Sequence, residues 1–178
     1  LGLGLLGPRL LLFSARLSSR LGAHVPTELL GRITTATLGP LPTSGRLADG
    51  IADYLAAQFD SGADLVQLFD TWGGLLRPID YEEFSLYYIQ YIIDRLPAGH
   101  GPVILFSKGV HHSYRTLATS GADVVAVDWT ANLGEVRAQV EGKVAVQGNL
   151  DPTLLFAGEE RIAAETQRML GEYGEGPG

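Results

Sequence analysis

Four short apolar runs recur along the chain: Leu65-Val66-Gln67-Leu68-Phe69, Val103-Ile104-Leu105-Phe106, Val124-Val125-Ala126-Val127 and Val144-Ala145-Val146-Gln147. Each is followed by a polar loop and then by a stretch with helical periodicity. Runs this short, apolar at successive positions, read as strands buried on both faces. Strands that alternate with helices build βα units, and βα units build a parallel sheet. The last two units take about twenty residues each, which leaves room only for a minimal helix. Such units suit a (β/α)₈ barrel or a doubly wound sheet with short crossovers. No G-x-G-x-x-G follows any of the strands, so the dinucleotide fingerprint is absent. A complete barrel takes about 250 residues. The expected fold class is therefore α/β, a (β/α)₈ TIM barrel of which about half is present in these 178 residues.

The helical stretches are legible from their spacing. Leu47, Ile51, Tyr54 and Leu55 predict a helix from Arg46, and Tyr81 to Leu96 predicts another, with Glu82 and Glu83 in its first turn where the macrodipole favours them. Shorter helices are expected after the second strand through about Thr119, over Asn132 to Val140, and over Glu159 to Leu170, with a Gly-rich loop from Gly171.

Composition divides the chain. Residues 1–45 hold four arginines and one glutamate, a charge of +3, with no lysine or aspartate; residues 46–178 carry −10. The reading is an atypical segment over 1–45 and a partial βα-barrel domain over 46–178. The apolar run Leu1 to Phe13 is broken by Gly7, Pro8 and Arg9, and is too short to span a bilayer. Its arginines lie within and after it, which is the wrong order for a signal peptide. The chain begins with Leu and reads as a piece whose true start is elsewhere. There is no cysteine, so a disulfide scaffold, a cysteine nucleophile and a thiolate zinc site are excluded. A net charge of −7 argues against a broad nucleic-acid surface but leaves room for a local anion pocket.

In a barrel the chemistry sits at the C-terminal ends of the strands. All four ends are polar here: Asp70-Thr71-Trp72-Gly73-Gly74, Ser107-Lys108-Gly109-Val110-His111-His112, Asp128-Trp129-Thr130 and Gln147-Gly148-Asn149-Leu150-Asp151-Pro152. Taken one at a time, each group has two readings. Asp70 and Asp128 are acid–base groups or caps of the next turn. Lys108 is an anion partner or a solvated lysine. Gly73-Gly74 cradles an anion with its N–H groups or supplies backbone freedom. His111 and His112, adjacent at a helix start, diverge and have no third ligand nearby, so no metal site is expected. From the residues alone, this is half of a βα barrel with a polar site face, an enzyme.

The loops also carry a resemblance. Gln67 to Gly74 with Phe84-Ser85-Leu86 and Tyr88, Leu105 to Gly109, Val127 to Thr130, and Val146 to Pro152 are similar, in order and spacing, to the uroporphyrinogen decarboxylase family over about residues 46–172. The resemblance implies a (β/α)₈ barrel. It implies cofactor-free removal of the four acetate carboxyl groups of uroporphyrinogen, giving coproporphyrinogen and carbon dioxide in tetrapyrrole biosynthesis. Thr71 matches the position that hydrogen-bonds the substrate, and Phe69 matches a hydrophobic wall against the macrocycle. The family's arginine-rich motif, its essential aspartate and its later histidine block have no counterpart in this chain, so the resemblance assigns no catalytic residue to it. A tyrosine expected around Arg16 is also missing. Residues 1–45 are thus either divergent or translated in a wrong frame.

The resemblance further implies a cytoplasmic homodimeric parent with a small tetrapyrrole substrate, no metal, no nucleic acid and no membrane partner. The isolated 178-residue chain is expected to be inactive and poorly folded, with unpaired sheet edges at the strands starting at Leu65 and Val144. Two other readings stay open: a corrinoid-dependent methyltransferase on the same barrel, and a non-catalytic fragment.

Overall fold

The structure, a computed structural model, describes residues 42–175. What is expected of residues 1–41, including the missing tyrosine near Arg16, lies outside the described residues. Helix α1 (Pro42–Asp60) leads into strand β1 (Val66–Asp70). A 3₁₀ turn (Gly73–Leu75) and a continuous helical run follow, composed of α2 (Pro78–Tyr81), a π-helical segment (Glu82–Leu86) and α3 (Tyr87–Asp94). Then come β2 (Val103–Ser107), α4 (Tyr114–Leu117), β3 (Val124–Ala126), α5 (Leu133–Val140), β4 (Ala145–Gln147), a 3₁₀ segment (Pro152–Phe156) and α6 (Glu159–Tyr173).

The four strands form one sheet in the order β1-β2-β3-β4, every pair parallel. Sequential order with parallel pairing is the arrangement of a barrel wall; a doubly wound sheet would reverse its order at a switch point. The expected α/β class and partial barrel are what the chain adopts. Among the described residues β1 and β4 are the two edges.

Side chains alternate across a pleated sheet, and the register sorts them. Val66, Leu68, Val103, Leu105 and Val125 share one face and are fully buried. They pack in one core with Ile51 and Leu55 of α1 and Ile89 and Ile92 of α3. Gln67, Phe69, Ile104, Phe106, Val124 and Ala126 share the other face, which in a closed barrel is the interior. There Phe69 and Phe106, register partners, meet edge to face with ring centres 5.5 Å apart.

Several boundaries differ from those the sequence predicts. Helix α1 begins at Pro42, ahead of Arg46, and α6 runs on to Tyr173, past Gly171. The helix expected to reach Thr119 is only the turn Tyr114–Leu117, because Thr119 and Ser120 close it with 3.0 Å bonds to Thr116 and Leu117. The π-helical segment interrupts what periodicity reads as one regular helix. Among the described residues no helix is long and apolar enough to cross a membrane.

Candidate active-site face

The C-terminal ends of the four strands are laced together loop to loop. Lys108 N–H donates to the Asp70 carbonyl (3.0 Å) and Gly74 N–H to the Lys108 carbonyl (3.0 Å), which joins the first loop to the second. Gly109 N–H donates to Asp128 Oδ2 (2.7 Å), and His111 Nε2 lies 2.9 Å from Thr130 Oγ1, which joins the second to the third. Asn149 Nδ2 donates to the carbonyls of Asp128 (3.0 Å) and Ala131 (2.6 Å), which joins the third to the fourth.

Glycines make this lacing possible. A Cβ on Gly74 would stand 2.7 Å from the Gly109 backbone, and one on Gly73 would stand 2.5 Å from Asp70 Oδ2. Neither residue has positive φ. The pair therefore serves close approach, and neither of the two roles expected from sequence holds. Backbone freedom is not used, and the amides are already taken, Gly73 N–H by Asp70 and Gly74 N–H by Lys108.

Asp70 sits at the centre of a polar cluster on the helix side of the sheet. Its Oδ2 accepts from Ser85 Oγ at 2.6 Å, and the amides of Trp72 and Gly73 also point to it. Ser107, fully buried, faces it more weakly, and Tyr81 Oη stands 2.8 Å from Ser107 Oγ. An ionised carboxylate only accepts, so Ser85 donates to it. Tyr81 and Ser85, four residues apart, share one side of the helix, as i and i+4 residues do. Burial raises the Asp70 pKa above its ordinary value, against the hydrogen bonds that lower it. Burial likewise pushes the Tyr81 hydroxyl up.

Asp128 is 3% exposed and fully engaged. Besides Gly109 N–H, it accepts Thr130 N–H at 2.9 Å and the Thr130 hydroxyl. Burial raises its pKa, but the bonds from Thr130 and Gly109 outweigh burial and hold the carboxyl below its ordinary value. Of the two readings open for Asp70 and Asp128, the geometry selects the turn-holding one for both. Asp151 caps the following 3₁₀ segment through Thr153 N–H (2.8 Å).

The two residues that the resemblance marks for substrate binding lie elsewhere. Phe69 is on the interior face, against Phe106. Thr71 is half-buried one step beyond β1, and its hydroxyl bonds none of the described residues. His111 and His112 are exposed; His111 is tied to Thr130 and His112 Nδ1 to Ser113 Oγ (2.5 Å). Among the described residues no group of three metal-ligating side chains occurs. A cleft lined by Gly45, Ile79, Glu82, Glu83 and Tyr87, Tyr88 and Tyr91 belongs to the helix layer and includes none of the strand-end groups. Sequence reasoning missed the Tyr81–Ser107 contact, since a serine ending an apolar strand and a tyrosine on the next helix carry no joint signal.

A parallel sheet in sequential order with its polar groups gathered at the C-terminal strand ends defines a partial (β/α)₈-barrel domain. A methyltransferase from Methanosarcina mazei shares this fold, with a TM-score of 0.66 at 18% identity over 74% of this chain and 40% of that one. The chain belongs to the uroporphyrinogen decarboxylase family: the sequence profile of uroporphyrinogen decarboxylase (URO-D) matches residues 45–178. The uroporphyrinogen decarboxylase of Chromohalobacter salexigens is 49% identical over 137 residues, 75% of this chain and 39% of that protein. That of Pseudoalteromonas atlantica is 46% identical over 137 residues, with the same coverage. The chain thus spans about two-fifths of the length of the curated relatives it matches.

Proposed function

We propose that this chain supplies part of the barrel of a uroporphyrinogen decarboxylase, a carboxy-lyase that turns uroporphyrinogen into coproporphyrinogen and carbon dioxide in tetrapyrrole biosynthesis. The observation that carries the reading is the family match over 45–178; it is supported by Phe69 on the sheet face opposite the helix core, with Thr71 two residues on. Losing a carboxyl group leaves carbanion-like charge on carbon. Protonating the pyrrole first gives the macrocycle its own electron sink, so the reaction asks for no organic cofactor and no metal. The protein's task is to hold a polyanion, to place one acetate and to stabilise a cationic ring.

In this chain Phe69 and Phe106 offer an apolar wall, and the Thr71 hydroxyl a free polar contact. Asp70 and Asp128 are engaged by Ser85, Gly109, Thr130 and neighbouring amides, and by this reading the carboxylate that stabilises the ring comes from the rest of the complete protein. By this reading the 178-residue chain alone does not turn over substrate. The complete protein works as a cytoplasmic homodimer with a tetrapyrrole as its small-molecule partner.

The test is a chimera in which residues 45–178 replace the matched segment of the Chromohalobacter salexigens relative. It should decarboxylate reduced uroporphyrinogen anaerobically and keep its activity in the presence of chelator. Thr71→Val should lower its activity by about one to two orders of magnitude, from the loss of one contact to a charged substrate worth about 1.5–3 kcal/mol. Thr71→Ser should be near neutral. An inactive chimera that folds as the parent does, or Val and Ser variants that behave alike, counts against the reading.

A further inference from the structure

The four loops that follow the strands hold two permanent cations, Arg77 and Lys108. Arg77 is closed onto Asp80 by two bonds of 2.7 and 2.8 Å. Lys108 is exposed and has no ion-pair partner among the described residues. The nearest loop carboxylate in sequence register, Asp128, is taken by Gly109 N–H and Thr130. What holds the ammonium is an aromatic face: Lys108 Nζ stands 5.1 Å from the centre of the Trp129 ring. Trp129 is itself 42% exposed, so the pair stands at the surface of the strand-end face.

Its position follows from the ladder. β1 and β2 pair Phe69 with Phe106 and Asp70 with Ser107. The Lys108 N–H to Asp70 carbonyl bond belongs to that last pair, so Thr71 and Lys108 are each the first residue past the paired ends of neighbouring strands. Both stand at the C-terminal rim of the sheet, two residues beyond Phe69 and Phe106. The arrangement is an apolar floor of two phenylalanines with a free hydroxyl and an unpaired cation above it. Cation–π contact restrains the lysine without neutralising it, so the charge stays available to an anion.

We infer that Lys108, steadied by Trp129, is a substrate-binding residue that grips a carboxylate of the macrocycle beside the Thr71 contact. The inference rests on the reading above and adds a charged contact that the family resemblance does not assign. A flexible ammonium is a point charge and suits a single carboxylate at the rim of a polyanion. Trp129 limits the directions the side chain samples, so less freedom is lost when the carboxylate arrives.

The test is equilibrium dialysis of the chimera carrying residues 45–178 in the Chromohalobacter salexigens relative against uroporphyrin, the oxidised and stable form of the tetrapyrrole, at low and high salt. Lys108→Met should weaken uroporphyrin binding about tenfold at low salt, the scale of one charge-assisted hydrogen bond, while Lys108→Arg stays within about threefold. The Lys108→Met deficit should shrink as salt rises, because the lost term is electrostatic. Trp129→Leu should fall between wild type and Lys108→Met. The Lys108 side chain is exposed, so circular dichroism of Lys108→Met should match wild type.

Equal binding by wild type and Lys108→Met overturns the inference. If Thr71→Val weakens binding while Lys108→Met does not, Lys108 is excluded and the proposed function stands. If the unsubstituted chimera folds but binds no uroporphyrin, the proposed function fails for this chain and the inference fails with it.

Discussion

The Ser85 hydroxyl donates to the Asp70 carboxylate at 2.6 Å, which ties the π-helical segment to the end of β1. Asp70 is raised in pKa by burial even with this bond. Ser85→Ala should raise it further, since the donor stabilises the charged form. The cost in stability should be about 1.5–3 kcal/mol at neutral pH and smaller near pH 3, where the carboxyl is protonated. The Asp70 contribution itself is fully present below its unfolded value near 3.8 and fades as pH rises through the folded value. Urea melts of both chains at two pH values check the pattern; an equal cost at both would remove the charge assistance from the account.

Tyr81 and Ser107 are both fully buried and satisfy one another at 2.8 Å. Ser107→Ala should cost about 1–3 kcal/mol by removing the closest partner of the tyrosine hydroxyl, and Tyr81→Phe less, because Ser107 keeps its weaker contact with Asp70. The double variant should cost less than the two single costs added, because the Tyr81–Ser107 bond is then lost once and not twice. A double-mutant cycle from denaturant unfolding decides it, and strict additivity would mean that the two hydroxyls are independently satisfied.

Gly74→Ala places a methyl group 2.7 Å from the Gly109 backbone. Backbone cannot swing aside as a flexible side chain can, so the first two loops must part. The expected loss is about 1–3 kcal/mol, with exchange of the Gly74 amide proton speeding up as its bond to Lys108 opens. At Gly45, where nothing lies within 4 Å, Ala should cause no such loss. Similar effects at the two positions would contradict the close-approach account.

Asp128 has the opposite pH signature to Asp70. Its folded pKa is lowered by the Thr130 and Gly109 bonds that outweigh burial. Its contribution is therefore present above the unfolded value near 3.8 and lost as pH falls through the folded value. Asp128→Asn should be less stable than wild type at neutral pH, and the gap should narrow on acidification below about pH 4. A gap that stays constant with pH would place the Asp128 effect in packing, not in charge.

Much of the architecture was legible in the chain itself. Apolar runs bounded by polar loops located the strands, observed to begin at Val66, Val103, Val124 and Ala145, within a residue of where periodicity puts them. Burial of strands on both faces leaves a composition signal that survives without any tertiary knowledge. The loop motifs identified the family for the same local reason, since each is a short contiguous string.

What the sequence could not decide was the job of each polar group within those strings. Asp70, Asp128, Gly73 and Gly74 all read equally well as chemistry or as scaffold, because hydrogen-bond partners such as Ser85 and Thr130, and the backbone of Gly109, are chosen by how loops meet in space. The same holds for Lys108, whose lack of a carboxylate partner among the described residues and seat on Trp129 depend on two loops about twenty residues apart. Periodicity and motif are properties of neighbours along the chain. Whether a charge is satisfied or left available is a property of neighbours across it, and only the folded sheet brought those together.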